Sequence, residues 1–168
     1  GWTKYLYLNS SQASATGNFF NDTTPSSTVF NVVNDGGVNA SGGTYIAYCF
    51  AEVKGFSKFG SYTGNGSTDG TFVYTGFKPA FVLFKSSSAA YNWHIFDSKR
   101  NTYNVVTGDL VPNTSAAEDN GNNILDFLSN GFKLRIADAG WNDANTYIYA
   151  AFAENPFVSS KGIPTTAR

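Results

Sequence analysis

Methionine is absent from this chain of 168 residues, and cysteine and histidine occur once each. One Cys and one His cannot build a zinc site, which needs three or four ligands of these types. No Asp-rich stretch follows the spacing of a calcium loop, so no metal and no cofactor is expected. A single cysteine, Cys49, also excludes an internal disulfide. It lies within an apolar run and is expected to be a small buried hydrophobe rather than a reactive thiol. Charge is scarce as well, at 14% of residues with a formal net charge of −1, and the basic residues are scattered. Phosphate backbones demand a concentrated basic patch, so nucleic acid is not an expected partner. No apolar run approaches the roughly 20 residues that carry a helix across a bilayer, and membrane insertion is not expected. Ala, Leu, Glu, Lys and Gln, on which long helices depend, are too thinly spread to support any.

Aromatic residues are abundant instead, at 17% of the chain, and Gly, Ser, Thr and Asn fill much of the remainder. Runs rich in aromatic and β-branched residues over 4–8, 28–33, 44–53, 56–62, 71–77, 80–85, 92–96, 132–136 and 146–153 predict strands. Turn clusters such as Asn34-Asp35-Gly36-Gly37, Thr63-Gly64-Asn65-Gly66-Ser67 and Asp119-Asn120-Gly121 separate them. Short helical turns are expected at most over 114–119 and 124–128. Many short strands without crossover helices predict an all-β fold, an antiparallel β-sandwich of jelly-roll-like form. The run around Tyr45 is apolar on both faces, Tyr45, Ala47, Cys49 and Ala51 alternating with Ile46, Tyr48 and Phe50, and is therefore expected to be a central strand.

The chain repeats itself. Nine residues from Thr44 to Glu52 recur from Thr146 to Glu154 with six identities, at an offset of 102 residues. The same offset pairs Leu8 with Leu110, Ala15 with Ala117, Ser27 with Ser129, Phe30 with Phe132, Ser57 with Ser159 and Gly60 with Gly162. Two diverged copies of a unit of about one hundred residues, tandem or merged, account for this pattern. Residues 61–102 have no counterpart before Gly1. Residues 1–55 are accordingly read as the C-terminal part of a first repeat domain and 56–168 as a complete second one. A sheet without half of its strands leaves open edges. Those strands are expected from upstream sequence, from a neighbouring subunit, or from a merger of the two units.

The run YIAYCFAEVKGFSKFGSYTGNG at 45–66, continued by YTGFKPAFV at 74–82, resembles the repeat domain of uncharacterised virion proteins of tailed, marine-type phages. The closing segments FAENPF at 152–157 and IPTTAR at 163–168 are similar to the usual ending of those proteins. The resemblance covers most of the chain. It implies a tail-fibre-like or structural virion component that assembles as a homo-oligomer, a trimer by analogy with phage fibres, together with other virion proteins. The implied location is the surface of the extracellular particle. The resemblance brings no binding residues with it.

The candidate chemistry is sparse. A Ser-His-acid centre would need His94, which alternation places on the strand face opposite Trp93, Ile95 and Asp97 with no nucleophile elbow nearby. A structural histidine is expected there. Glycoside hydrolysis needs two carboxylates about 5–10 Å apart, and the chain has only three glutamates, Glu52, Glu118 and Glu154. Glu52 and Glu154 occupy equivalent repeat positions, which suits a structural duty such as pairing with Lys54. Asp97 with Asp109, Asp119 or Asp126 is the remaining candidate pair, and no enzyme is expected. Sugar recognition, by contrast, uses aromatic faces beside Asn, Asp and Gly-rich loops. The loop containing Asp138, Trp141, Asn142, Asp143 and Asn145 fits that description best and is the candidate ligand-binding site, with a host surface glycan as the candidate ligand. Trp93 is expected in the core, and Trp2 over an open edge. Three functions compete: a phage virion module presenting loops for host attachment, a carbohydrate-binding adhesin module of a bacterial surface or filament, and a polysaccharide depolymerase.

Overall fold

The computed structural model describes residues 2–156, and among these it contains strands and no helix. In chain order the strands are β1 (Lys4–Tyr5), β2 (Ala15–Thr16), β3 (Ser57–Thr63), β4 (Phe72–Tyr74), β5 (Phe81–Ser86), β6 (Trp93–Asp97), β7 (Leu125–Leu128), β8 (Gly131–Leu134) and β9 (Thr146–Phe152). The protein is all-β. A four-stranded sheet runs β3-β9-β5-β6 and a three-stranded sheet β4-β8-β7, with every pairing antiparallel. β1 and β2 form a separate ribbon.

The core follows from alternation. β9 directs Tyr147, Tyr149 and Ala151 inward, and all three are buried. β5 contributes Val82 and Phe84, β6 contributes Phe96, and β3 contributes Tyr62. The facing sheet supplies Val73, Leu125, Phe127, Phe132 and Leu134 to the same cluster. Tyr62 stacks on Tyr147 with ring centroids 4.9 Å apart, and Phe84 on Phe96 at 5.6 Å. Burying each such side chain contributes on the order of 2 kcal/mol. The whole cluster lies between Tyr62 and Ala151 in sequence.

β9 is flanked on both sides, by β3 from Ser57↔Phe152 to Thr63↔Thr146 and by β5 from Phe81↔Phe152 to Ser86↔Tyr147. Its second face carries Ile148, Ala150 and Phe152, so this strand is apolar on both sides, as a central strand should be. One end of that outer sheet face is covered by the N-terminal arm. Trp93 Nε1 donates to the Tyr7 carbonyl at 2.9 Å, Lys85 Nζ to the Ser11 carbonyl at 3.1 Å, and Ser14 N to the Ser87 carbonyl at 2.9 Å. Trp93 is thus buried, but beneath this arm rather than between the sheets. Trp2 packs edge-on against Phe20 at 6.4 Å and is 41% exposed.

Several expectations are corrected. Residues 44–53 do not form a strand. They bear only an isolated bridge, Val53↔Ser57, and Ile46, Tyr48 and Phe50 are 78%, 81% and 68% exposed. Cys49 is exposed too. The physical reason is that, among the described residues, no strand lies on either side of this segment to take its backbone hydrogen bonds, so the apolar alternation has no sheet to join. Residues 28–33 likewise form no strand. The helical turns expected over 114–119 and 124–128 are also absent. Asp119 bridges Asp109, and Leu125–Leu128 is strand β7, because Leu125 and Phe127 bury against β8 only when they point the same way.

Candidate functional site

The loop over 138–145 is built on a tight turn. Asp138 accepts the amide of Gly140 on Oδ1 at 2.8 Å, and its carbonyl accepts from Trp141 N at 3.2 Å and Asn142 N at 2.8 Å. The Tyr147 hydroxyl closes the turn by accepting from Asp143 N at 3.1 Å and donating to the Ala139 carbonyl at 2.7 Å. Asn142 is fully buried. Its Oδ1 accepts from Asn65 N and Thr71 N, and its Nδ2 donates to Asn65 Oδ1, Ser67 O and Ile136 O. The side chain expected to face a ligand is instead a clasp across the 64–71 loop, with its donors and acceptors committed. The fit leaves no spare volume: a Cβ on Gly64 would stand 2.0 Å from the Asp143 carbonyl oxygen, and one on Gly70 2.7 Å from Asn142 Nδ2.

Trp141 is half-buried, with its ring 4.9 Å from that of His94 and its carbonyl accepting the Tyr62 hydroxyl at 2.8 Å. Its indole nitrogen is buried and makes no hydrogen bond. It therefore does not offer a free aromatic face in the way a sugar platform requires. Asp138 and Asp143 are exposed, while Asn145 is half-buried with Oδ1 3.3 Å from Ser88 Oγ. Of the five candidate residues, two carboxylates reach solvent freely, and Asn142 does not reach it at all.

His94 lies on the inner face of β6 and is buried against Asp109, whose two carboxylate oxygens sit 3.0 and 2.9 Å from Nδ1. The imidazole is held between this carboxylate, Phe84 and Trp141. A His–Asp pair is two thirds of an acyl-transfer triad. Among the described residues no hydroxyl or thiol is hydrogen-bonded to its Nε2, and the pair instead ties β6 to the 106–110 segment.

Several of the remaining acids are ion-paired, while the buried Asp126 Oδ1 has no hydrogen-bond partner. Arg100 holds Asp97 through Nε and its backbone amide. Burial alone would raise the Asp97 carboxyl, but these hydrogen bonds and the guanidinium charge outweigh it and lower the pKa. Asp126 stands 3.5 Å from Arg135, and Glu118 3.4 Å from Arg100. Glu52 pairs with Lys58 at 3.0 Å rather than with Lys54, and Glu154 with Lys99 at 2.6 Å. The hydrogen bond from Lys58 lowers the Glu52 carboxyl. Among the described residues no group of three or more His, Cys, Asp or Glu side chains could hold a metal ion.

A different surface stands out, which sequence reasoning did not single out as a site. The outer face of the four-stranded sheet presents Phe59, Phe81, Leu83, Ile148, Ala150 and Phe152, each half-buried, as one apolar groove. Phe152 is its centre, with ring centroids 5.7 Å from Phe59, 6.0 Å from Phe81 and 6.2 Å from Phe50. Through Phe50 the groove continues into the exposed apolar segment 44–53. Apolar side chains on both faces of β9 were the available signal, since one face fills the core and the other has to be covered by something else.

An all-β fold with a buried His–Asp pair, a clasped loop and an apolar groove on the outer face of its four-stranded sheet thus defines a β-module. The chain belongs to the family described as a domain of unknown function, DUF7483, whose model matches residues 1–156. No curated protein and no solved structure matches it.

Proposed function

We propose that this protein is a non-enzymatic structural module of a phage virion, tail-fibre-like, which assembles as a homo-oligomer and presents its loops for attachment to the host surface. The single observation that supports this reading is the apolar groove of Phe59, Phe81, Leu83, Ile148, Ala150 and Phe152 on the outer face of the sheet. A contiguous apolar face of this kind, half-buried along its length, fits a protein–protein contact. The ion-paired Glu52, Asp97, Glu118 and Glu154 and the His–Asp pair without a bonded nucleophile fit a module without turnover. The resemblance of 45–66 and 74–82 to phage virion repeats supplies the location, on the extracellular particle among other virion proteins. The exposed Asp138 and Asp143 lie on the loop that would face a host glycan.

Sedimentation velocity on the full chain tests the proposal. The expected result is a closed assembly of two or three chains that dissociates when Ile148→Asp and Phe81→Asp place carboxylates in the groove. A monomer at every concentration, or hydrolysis of a capsular polysaccharide that disappears when two acids are replaced, would overturn it.

A further inference from the structure

The first copy of the repeat carries no strand over 28–53, yet its turn is already formed, bond for bond. Asp35 accepts the Gly37 amide on Oδ1 at 2.8 Å, and its carbonyl accepts from Val38 N at 3.1 Å and Asn39 N at 2.8 Å. Asp138 does the same with Gly140, Trp141 and Asn142. The Tyr45 hydroxyl accepts from Ala40 N at 3.1 Å and donates to the Gly36 carbonyl at 2.9 Å, and Tyr147 repeats this with Asp143 and Ala139. Five hydrogen bonds recur between the copies.

What differs is the surroundings. Asn39 is exposed where Asn142 is fully buried. Tyr45 is 42% exposed where Tyr147 is 0%, and Cys49 is exposed where Ala151 is 0%. Around the second copy the burial is provided by residues 57–102: β3 and β5 flank β9, β4 pairs with β8, and the 64–71 loop receives Asn142.

We infer that residues 28–53 are a docking surface for β-strands of the same kind as β3 to β6, contributed by another unit of this repeat. The incoming strands would lie on both sides of 44–50, turning Tyr45, Ala47 and Cys49 into a core row and Ile46, Tyr48 and Phe50 into an outer row. Their β3–β4 loop would close over Asn39. Identity of the receiving segment at six of nine positions with residues 146–154, which contain β9, and a turn formed in the same way, fit this occupant. A second copy of the present chain fits less well, because its own β3 and β5 already hold its own β9. The inference does not depend on the virion reading.

Cys49 reports on it directly. In the unaltered chain its thiol is expected to react with a disulfide reagent at the rate of a free cysteine. A second copy of residues 57–102 is then placed directly ahead of Gly1, the position that corresponds to Tyr103. Labelling is expected to slow by about a hundredfold or more, as local opening becomes necessary. Asn39→Ala should restore fast labelling in the extended chain and change nothing in the unaltered one. The same segment is also supplied in trans to the unaltered chain, so that the outcome does not hinge on how well the fusion folds. Fast labelling by both routes overturns the inference. So does protection of Cys49 in the unaltered chain as its concentration rises, which would assign the surface to self-association and leave the proposed oligomeric module standing.

Discussion

Asn142 concentrates more hydrogen bonding than any other side chain in the candidate loop. Two backbone amides and three acceptors converge on one buried amide. Asn142→Ala strands several of these groups in a buried site against which Gly70 is closely packed. Leaving a buried polar group unpaired costs about 1–3 kcal/mol, so the substitution is expected to lower stability by about 3 kcal/mol in urea unfolding. The prediction fails if the midpoint is unchanged. Asn39→Ala, at the equivalent place in the first turn, should leave the same curve where it was. Sequence inspection marks Asp138, Trp141, Asn142, Asp143 and Asn145 as a candidate ligand-binding loop. It does not show that Asn142 is bound by backbone 71 residues earlier, because polarity in a loop looks the same whether water or another loop satisfies it.

Among the strands, β5, β6 and β9 are legible because each carries five to seven residues of β-branched and aromatic character. β7 is not, since four residues, Leu-Asp-Phe-Leu, fit a helical turn as well as an alternating strand. Its pairing with β8 decides the matter, and that is a contact between segments. Residues 44–53 show the converse, with a strong strand pattern and no strand, because alternation specifies which faces are apolar and not whether neighbours are present. A single change tests this difference. Ala151 faces inward between Lys58 and Val82 on β9, so Ala151→Leu overpacks the core and is expected to cost about 1–3 kcal/mol. Cys49→Leu makes the equivalent change on the exposed segment and should stay within about 0.5 kcal/mol. Chemical denaturation of the two variants side by side separates them, and equal losses would show that 44–53 is as well packed as β9.

At the scale of the whole molecule, two kinds of buried group set the alkaline behaviour in opposite directions. Lys85 is fully buried beneath the N-terminal arm, with its ammonium donating to two carbonyls, those of Ser11 and Ser86, and desolvation lowers its pKa below the ordinary 10.5. The unfolded chain therefore binds the proton more tightly, and stability rises as pH climbs from the lowered value towards 10.5. Tyr62 lies in the core, and burial lifts its phenol well above the ordinary 10.0, with the charge of Tyr147 adding to the effect. Here the folded chain keeps the proton that the unfolded chain releases, so stability is fully present below pH 10 and falls above it, by up to about 1.4 kcal/mol per pH unit for each such group. Burial raises Tyr147 and Tyr149 in the same sense. Lys85→Met is expected to remove the rise while keeping the arm in place through its methylenes. Tyr62→Phe should cost about 1 kcal/mol at neutral pH, from the lost hydrogen bond to the Trp141 carbonyl, and make the decline above pH 10 shallower. Urea midpoints from pH 8 to 11 check both. A Tyr62→Phe curve parallel to the wild-type curve through that range would mean that this phenol ionises as readily in the folded chain as in the unfolded one, and that the two sheets do not exclude water around it.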